Sequence, residues 1–168
     1  AAMVTHSELL TWLHYDSATG VFTWIRRAGQ RRKGEIAGSV KTQKDQRRYR
    51  EIWLRGRIFQ AHRLAVFYMT GEWPTKLVDH KDGNGINNAW ENLRVATISQ
   101  NAANARKPST NTSGLKGATY NRASQKWQAG IKKDGKSFHL GLFDSAEAAH
   151  AAYMAKAQEL YGEFARAG

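Results

Sequence analysis

The sequence predicts an α+β protein built from short hairpins and a few short helices. Three observations carry that prediction. Arg48–Arg55 and Arg57–Ala61 read as two strands joined at Gly56. Lys133-Asp134-Gly135-Lys136 has the composition of a tight hairpin turn. Helical stretches are few: brief ones at 7–13, at 64–69 and from about Thr97, and one longer run from 144 to about 161.

Taken in order, Ser7 caps a helix over 7–13, Asp16–Gly20 forms a turn, and Val21–Ile25 continues as a strand. From 26 to 48 the chain is rich in Arg, Lys and Gly with little periodicity, which predicts loops and short strands able to follow a phosphate backbone. Each arginine there serves equally well as a solvated loop residue. Leu64–Met69 forms a short helix ending at Gly71. A polar Pro/Ser/Asn-rich segment follows Arg106 and is the best boundary in the chain. Beyond it, Ala118–Arg122, Lys126–Lys132 and Ser137–Leu142 are three strands. Asp144 and Glu147 then have capping-box spacing for a helix with Ala149, Tyr153, Ala157 and Leu160 on one face.

The 26 Lys and Arg against 14 Asp and Glu leave a net charge of +12, which favours a polyanionic partner, nucleic acid first. The excess lies in 1–70 and 105–168, whereas 71–104 is nearly balanced. With no cysteine, disulfides and thiolate metal sites are excluded, so any metal is held by oxygen or imidazole. No apolar run is long enough to cross a bilayer and no signal core opens the chain, so the expectation is a cytoplasmic protein of a bacterial or phage-infected cell, with no membrane partner.

The segment from Leu77 to Asn104 carries the chemistry. It places Asp79 and His80 at the end of an apolar strand, then a polar loop, a second strand at Leu93–Val95, and a helix from about Thr97 bearing Asn101. Phosphodiester hydrolysis needs an activated water, a base, and a cation for the developing charge. His80 is a competent base near neutral pH, while Asp79 and Asn101 offer hard oxygen ligands. Asp82, Asn84, Asn87 and Asn88 superficially suggest a calcium loop, but Leu93 stands where the closing Glu belongs.

These residues resemble the His-Asn-His (HNH) endonucleases of the phage and homing type, over roughly 15–106 and most closely from Val78 to Asn104. The resemblance implies a ββα-metal core with His80 as general base, Asp79 and Asn101 as metal ligands, and Asn92 bracing the loop and orienting the histidine. His62-Arg63 matches the family as a structural or DNA-contacting pair. Asn101 in place of the name-giving third histidine favours magnesium, with manganese as the alternative.

The C-terminal segment resembles the Apetala-type ethylene-response DNA-binding domain in Gly117–Tyr120, Lys126–Ile131, Leu140–Asp144 and Ala146–Tyr153. That resemblance implies a three-stranded sheet packed on one helix, with the outward strand residues on DNA. The organisation expected is a basic β-rich region at 1–70, a nuclease core at 71–104, a linker at 105–116 and a DNA-binding module at 117–168.

The expected DNA contacts are Arg26, Arg27, Arg31, Arg32, Lys33 and Arg63, with Tyr120, Arg122, Lys126, Trp127, Lys132, Lys136 and His139 from the module. For Tyr120, Trp127 and His139 a packing role is the competing assignment. The function expected is metal-dependent cleavage of double-stranded DNA, with a monomer favoured and the oligomeric state left open. The alternative is a DNA-binding regulator on the same scaffold that no longer cuts.

Overall fold

The computed structural model describes residues 4–108 and 110–168; residues 1–3, and Ser109 within the expected linker, lie outside the described residues. It is a mixed α/β structure with several small antiparallel sheets, and the chain divides into two compact units, Ala1–Val95 and Ala96–Gly168.

The first unit opens with α1 (His6–Trp12). Its cap is Thr5, not Ser7: the Thr5 hydroxyl accepts from the Glu8 amide while the Glu8 carboxylate accepts from the Thr5 amide. This reciprocal box satisfies two helix-start donors that Ser7, one turn position later, could not reach together. The strands β1 (Leu13–Asp16) and β2 (Val21–Trp24) form a hairpin pairing Leu13 with Trp24 and Asp16 with Val21. Strands β3 (Ser39–Thr42), β4 (Arg48–Leu54) and β5 (Arg57–Gln60) form a three-stranded antiparallel sheet in that order. The helix α2 (Ala61–Thr70) starts three residues ahead of the predicted Leu64, because Ala61 and His62 are also buried and extend its inward face. It ends at Gly71 in the left-handed conformation.

One apolar core joins these pieces, with Leu9, Leu13, Phe22, Ile52 and Leu64 at most 2% exposed. Each such side chain contributes about 1.5–3 kcal/mol relative to remaining in water. Val78 and Leu93 belong to the same core, so the short pair β6 (Leu77–His80) and β7 (Leu93–Ala96) is anchored from below.

In the second unit α3 (Ile98–Asn104) precedes strands β8 (Ala118–Asn121), β9 (Lys126–Lys133) and β10 (Lys136–Phe143), in sheet order β10-β9-β8, and the helix α4 (Ala146–Tyr161). Asp134 and Gly135 both have positive φ, 48° and 81°, the turn geometry that matches strand twist. The α4 cap is Ser145, whose hydroxyl accepts from the Ala148 amide, rather than Asp144. Ala149, Tyr153 and Ala157 are buried as expected, and Tyr161 replaces Leu160 as the last buried position. The expected linker 105–116 lies within this unit. Lys116 is buried there, its ammonium donating to the Ala103 and Ala105 carbonyls at 2.5 and 2.7 Å, which satisfies helix-end acceptors of α3.

Candidate active site

Asp79 and His80 are 6% and 5% exposed at the end of β6. Two adjacent buried polar residues on a strand need partners. Asp79 has one in Arg94 of β7, whose Nε donates to Oδ2 at 2.9 Å, with both side chains nearly closed to solvent. The Arg94 guanidinium thus gives the buried carboxylate a charge-assisted hydrogen bond.

Asn88 is the partner of His80. The imidazole Nε2 lies 2.9 Å from the Asn88 side-chain oxygen, which can only accept, so Nε2 carries the hydrogen. That tautomer makes Nδ1 the lone-pair nitrogen of the ring. Burial pushes the His80 pKa below the ordinary histidine value; the Asn88 hydrogen bond and the Asp82 and Asp79 carboxylates offset it in part. The net effect favours the neutral ring more than in an ordinary histidine.

Asn88, 1% exposed, is fixed from outside the loop. Tyr15 on β1 donates its hydroxyl to the Asn88 carbonyl at 2.6 Å, and the Trp90 amide donates to the Ser17 carbonyl at 2.8 Å. Gly20, at φ +73°, lies so close that a Cβ there would stand 2.1 Å from the Asn88 carbonyl carbon. On the other side Gly85 abuts β4, where a Cβ would meet the Arg48 carbonyl at 2.3 Å and the Tyr49 ring at 2.6 Å. Two glycines without room for any side chain let the loop seat against both hairpins.

Within the loop Asn92 donates Nδ2 to Asp82 Oδ1 at 3.0 Å and to the Asn87 carbonyl at 2.7 Å, and accepts from the Asp82 amide at 3.1 Å. For Asp82, burial alone would raise the pKa, but hydrogen bonds from Asn84, Asn87 and Asn92 outweigh it and hold the carboxyl below its usual range.

His62 of α2 packs edge-to-face on His80, ring centres 4.9 Å apart, with Tyr49 5.6 Å from His62. Burial first, then His80 and Arg63, push the His62 pKa down to about 3, so it remains neutral. Its neighbour Arg63 donates to the Pro74 and Lys76 carbonyls at 2.6 and 3.1 Å and clasps the segment leading into β6. Of the two assignments expected for Arg63, the geometry favours the structural one.

The remaining sequence-predicted contacts divide clearly. Arg26 lies 3.5 Å over the Trp12 ring, Arg27 donates to the Gly29 carbonyl, and Arg32 and Lys33 are exposed. In the second unit, the pairings Ala118 with Ala129 and Tyr120 with Trp127 put Tyr120 and Trp127 on the face that carries buried Ala129 and Ile131, towards α4. Lys136, paired with Lys133, shares that face. Tyr120, Trp127 and Lys136 are therefore not on the outward face; period-two alternation from Ala129 assigns that face to Lys126, Lys132 and His139. Arg122 is exposed in the β8–β9 turn. Asn101 sits mid-way along α3, a helix of the second unit capped by a Thr97–Gln100 box.

A family model described as HNH endonuclease matches residues 59–103. Protein 3.8 of Escherichia phage T7 is 37% identical over 89 residues, spanning 53% of this chain and 73% of that protein. Residues 59–103 therefore form an HNH endonuclease family domain. An uncharacterized HNH endonuclease of Acanthamoeba polyphaga mimivirus is 34% identical over 108 residues, 63% of this chain; the match spans little more than half, 55%, of that relative. A solved structure of DNA binding and cleavage by the HNH homing endonuclease I-HmuI is 25% identical, covering 82% of this chain and 75% of that one, with a TM-score of 0.41.

Among the described residues no three His, Cys, Asp or Glu side chains gather as a metal cluster. The donor chemistry of an HNH centre is nonetheless compatible with this chain: the buried carboxylate of Asp79 is a hard oxygen ligand suited to a magnesium-like ion that takes most of its shell from water and phosphate. Arg94 shares that carboxylate. Sequence reasoning missed Arg94, Asn88 and Tyr15. Arg94 and Asn88 lie in the HNH segment yet have no distinctive spacing, and Tyr15 acts from 73 residues away.

Proposed function

We propose that this chain is a divalent-metal-dependent endonuclease that hydrolyses one phosphodiester bond in double-stranded DNA. The observation that carries the reading is His80, buried beside Asp79, with Asn88 fixing its tautomer. A neutral imidazole in a fixed orientation is what general-base chemistry requires.

In this reading His80 Nδ1 takes a proton from a water whose oxygen bonds to phosphorus as the P–O3′ bond breaks. The departing 3′ oxygen collects a proton from solvent. Asp79 and Asn101 would hold the metal, magnesium or manganese, which when bound supplies positive charge for the leaving oxygen. Asn92 and Asn88 are positioning residues, the first for the loop and the second for the imidazole. Arg26, Arg27, Arg31, Arg32 and Lys33 in the first unit, and Lys126, Lys132, His139 and Arg122 in the second, neutralise phosphates; the open face of the C-terminal sheet supports an Apetala-like role for that unit.

One observation favours the alternative of a DNA-binding protein that does not cut: Arg94 already neutralises Asp79. Conversion of supercoiled plasmid to open circle decides between them. The enzyme nicks in magnesium and not in chelator, whereas a pure binder retards the plasmid and leaves it supercoiled.

A further inference from the structure

The first unit has a cleft that shares no residue with the Asp79–His80 site. A cleft of about 640 Å³ opens between the 28–31 turn and the β4–β5 turn, walled by Trp12, Trp24, Trp53, Arg31 and Arg55. Its size is that of sites for nucleotide-sized ligands. Trp24, 2% exposed, is part of the core and forms a fixed wall. Trp53 is 50% exposed on β4, between buried Ile52 and Leu54, and presents its indole to water.

A guanidinium covers each of the three indoles. Arg26 lies 3.5 Å from the Trp12 ring centre, and Arg31 lies 5.4 Å from that of Trp24 and 5.5 Å from that of Trp53. Arg31 is held at a tight turn, its backbone exchanging hydrogen bonds with Ala28 at 3.1 and 3.2 Å. Arg31 lies within cation–π reach of both indoles, and a nucleobase uses the same π faces as a guanidinium. Arg31 can give up these long cation–π contacts without net loss if it gains a phosphate, because charge-assisted bidentate contacts are the stronger ones. An apolar peptide would gain nothing from this rim of arginines, in a region with thirteen basic and five acidic residues over 1–70.

We propose that the tryptophan cleft is a stacking site for one unpaired nucleobase of the DNA substrate, with Arg31 and Arg55 taking the flanking phosphates. This rests on the proposed DNA substrate, and it adds a preference for strands with a displaced or unpaired base near the cut.

The test uses the full chain carrying Asp79→Ala, so that binding is read without cleavage. Duplexes with and without a single bulged 2-aminopurine are compared by anisotropy and by fluorescence quenching. The expected result is affinity for the bulged duplex on the order of tenfold tighter, with the 2-aminopurine quenched. Adding Trp53→Ala removes both effects, and adding Trp53→Phe, which keeps an aromatic face, retains most of both. Equal affinity for the two duplexes, or a preference that Trp53→Ala leaves intact, overturns the proposal. So does concentration-dependent self-association that Trp53→Ala abolishes, since the cleft would then hold a second copy. Failure of the nuclease reading looks different: the chain without Asp79→Ala would bind both duplexes and nick neither.

Discussion

Tyr15 donates its hydroxyl to the backbone carbonyl of Asn88 at 2.6 Å, and the side chain of that same Asn88 accepts from His80. A strand in the first hairpin thereby sets the orientation of the proposed base. Burial raises the Tyr15 pKa to about 12, so the phenol remains a donor throughout the working range of pH.

This chain of contacts predicts a graded loss. Asn88→Ala should lower the nicking rate about 10–100-fold, as for groups that orient a reacting residue, with duplex affinity unchanged. Tyr15→Phe should lower it less and cost about 0.5–1.5 kcal/mol of stability, the usual net value of one hydrogen bond. Single-turnover nicking paired with urea unfolding measures both. Equal rates for Asn88→Ala and the parent would show that the tautomer is set elsewhere.

Asp79→Ala and Asn101→Ala should abolish magnesium-dependent nicking and leave duplex binding intact, since neither residue supplies positive charge. Breaking the buried Asp79–Arg94 pair from either side, by Asp79→Ala or by Arg94→Ala, should destabilise the protein by about 3–5 kcal/mol. Gel-shift, nicking and thermal unfolding of the three variants separate these effects; normal cutting by both ligand variants would remove the metal assignment.

Much of the architecture was legible in local patterns. The β4–β5 hairpin, the β9–β10 hairpin and the Gly71 helix end all follow from turn chemistry, and the Leu77–Asn104 segment carries its own motif. What eluded the sequence depended on tertiary partners. Thr5 displaced Ser7 as a cap because Glu8 could reach back to it. Trp127 and Tyr120 turned towards α4 because Ala118 and Ala129 set the inward face. Asn88 looked like one polar loop residue among several until Tyr15 and Gly20 were brought against it.

Replacing Lys126 and Lys132 together by Ala should reduce the slope of log affinity against log salt by roughly 1.8, about 0.9 for each phosphate neutralised. Replacing Lys136, on the α4 side of the sheet, should change it little. Titrations between low and moderate salt give the slopes directly, and equal slopes for the double variant and the parent would remove the second unit from the DNA interface.

Lys116 makes stability depend on pH. Burial, aided by Arg166, lowers its pKa from 10.5 to about 8. Between those values the unfolded chain holds a proton that the folded chain has released, so stability should rise with pH across roughly 8–10. Below that window the cost of the buried charge is fully present. The raised phenol pKa values of Tyr153 and Tyr161 act in the opposite direction only at higher pH. Urea midpoints should climb from pH 8 to 10 in the parent and not in Lys116→Met; a parallel climb in both would assign the effect to another group.

The central claim is that His80 is the base. Its lowered pKa predicts that nicking falls only when the pH drops below the ordinary histidine range, as the ring takes up its proton. The most direct measurement is single-turnover nicking of supercoiled plasmid in magnesium by His80→Ala, with folding checked by circular dichroism and duplex affinity by anisotropy. The account predicts a folded protein with parental DNA affinity, a rate lower by about a hundredfold to ten-thousandfold, and partial recovery on adding imidazole. A folded His80→Ala protein that nicks at the parental rate would contradict it.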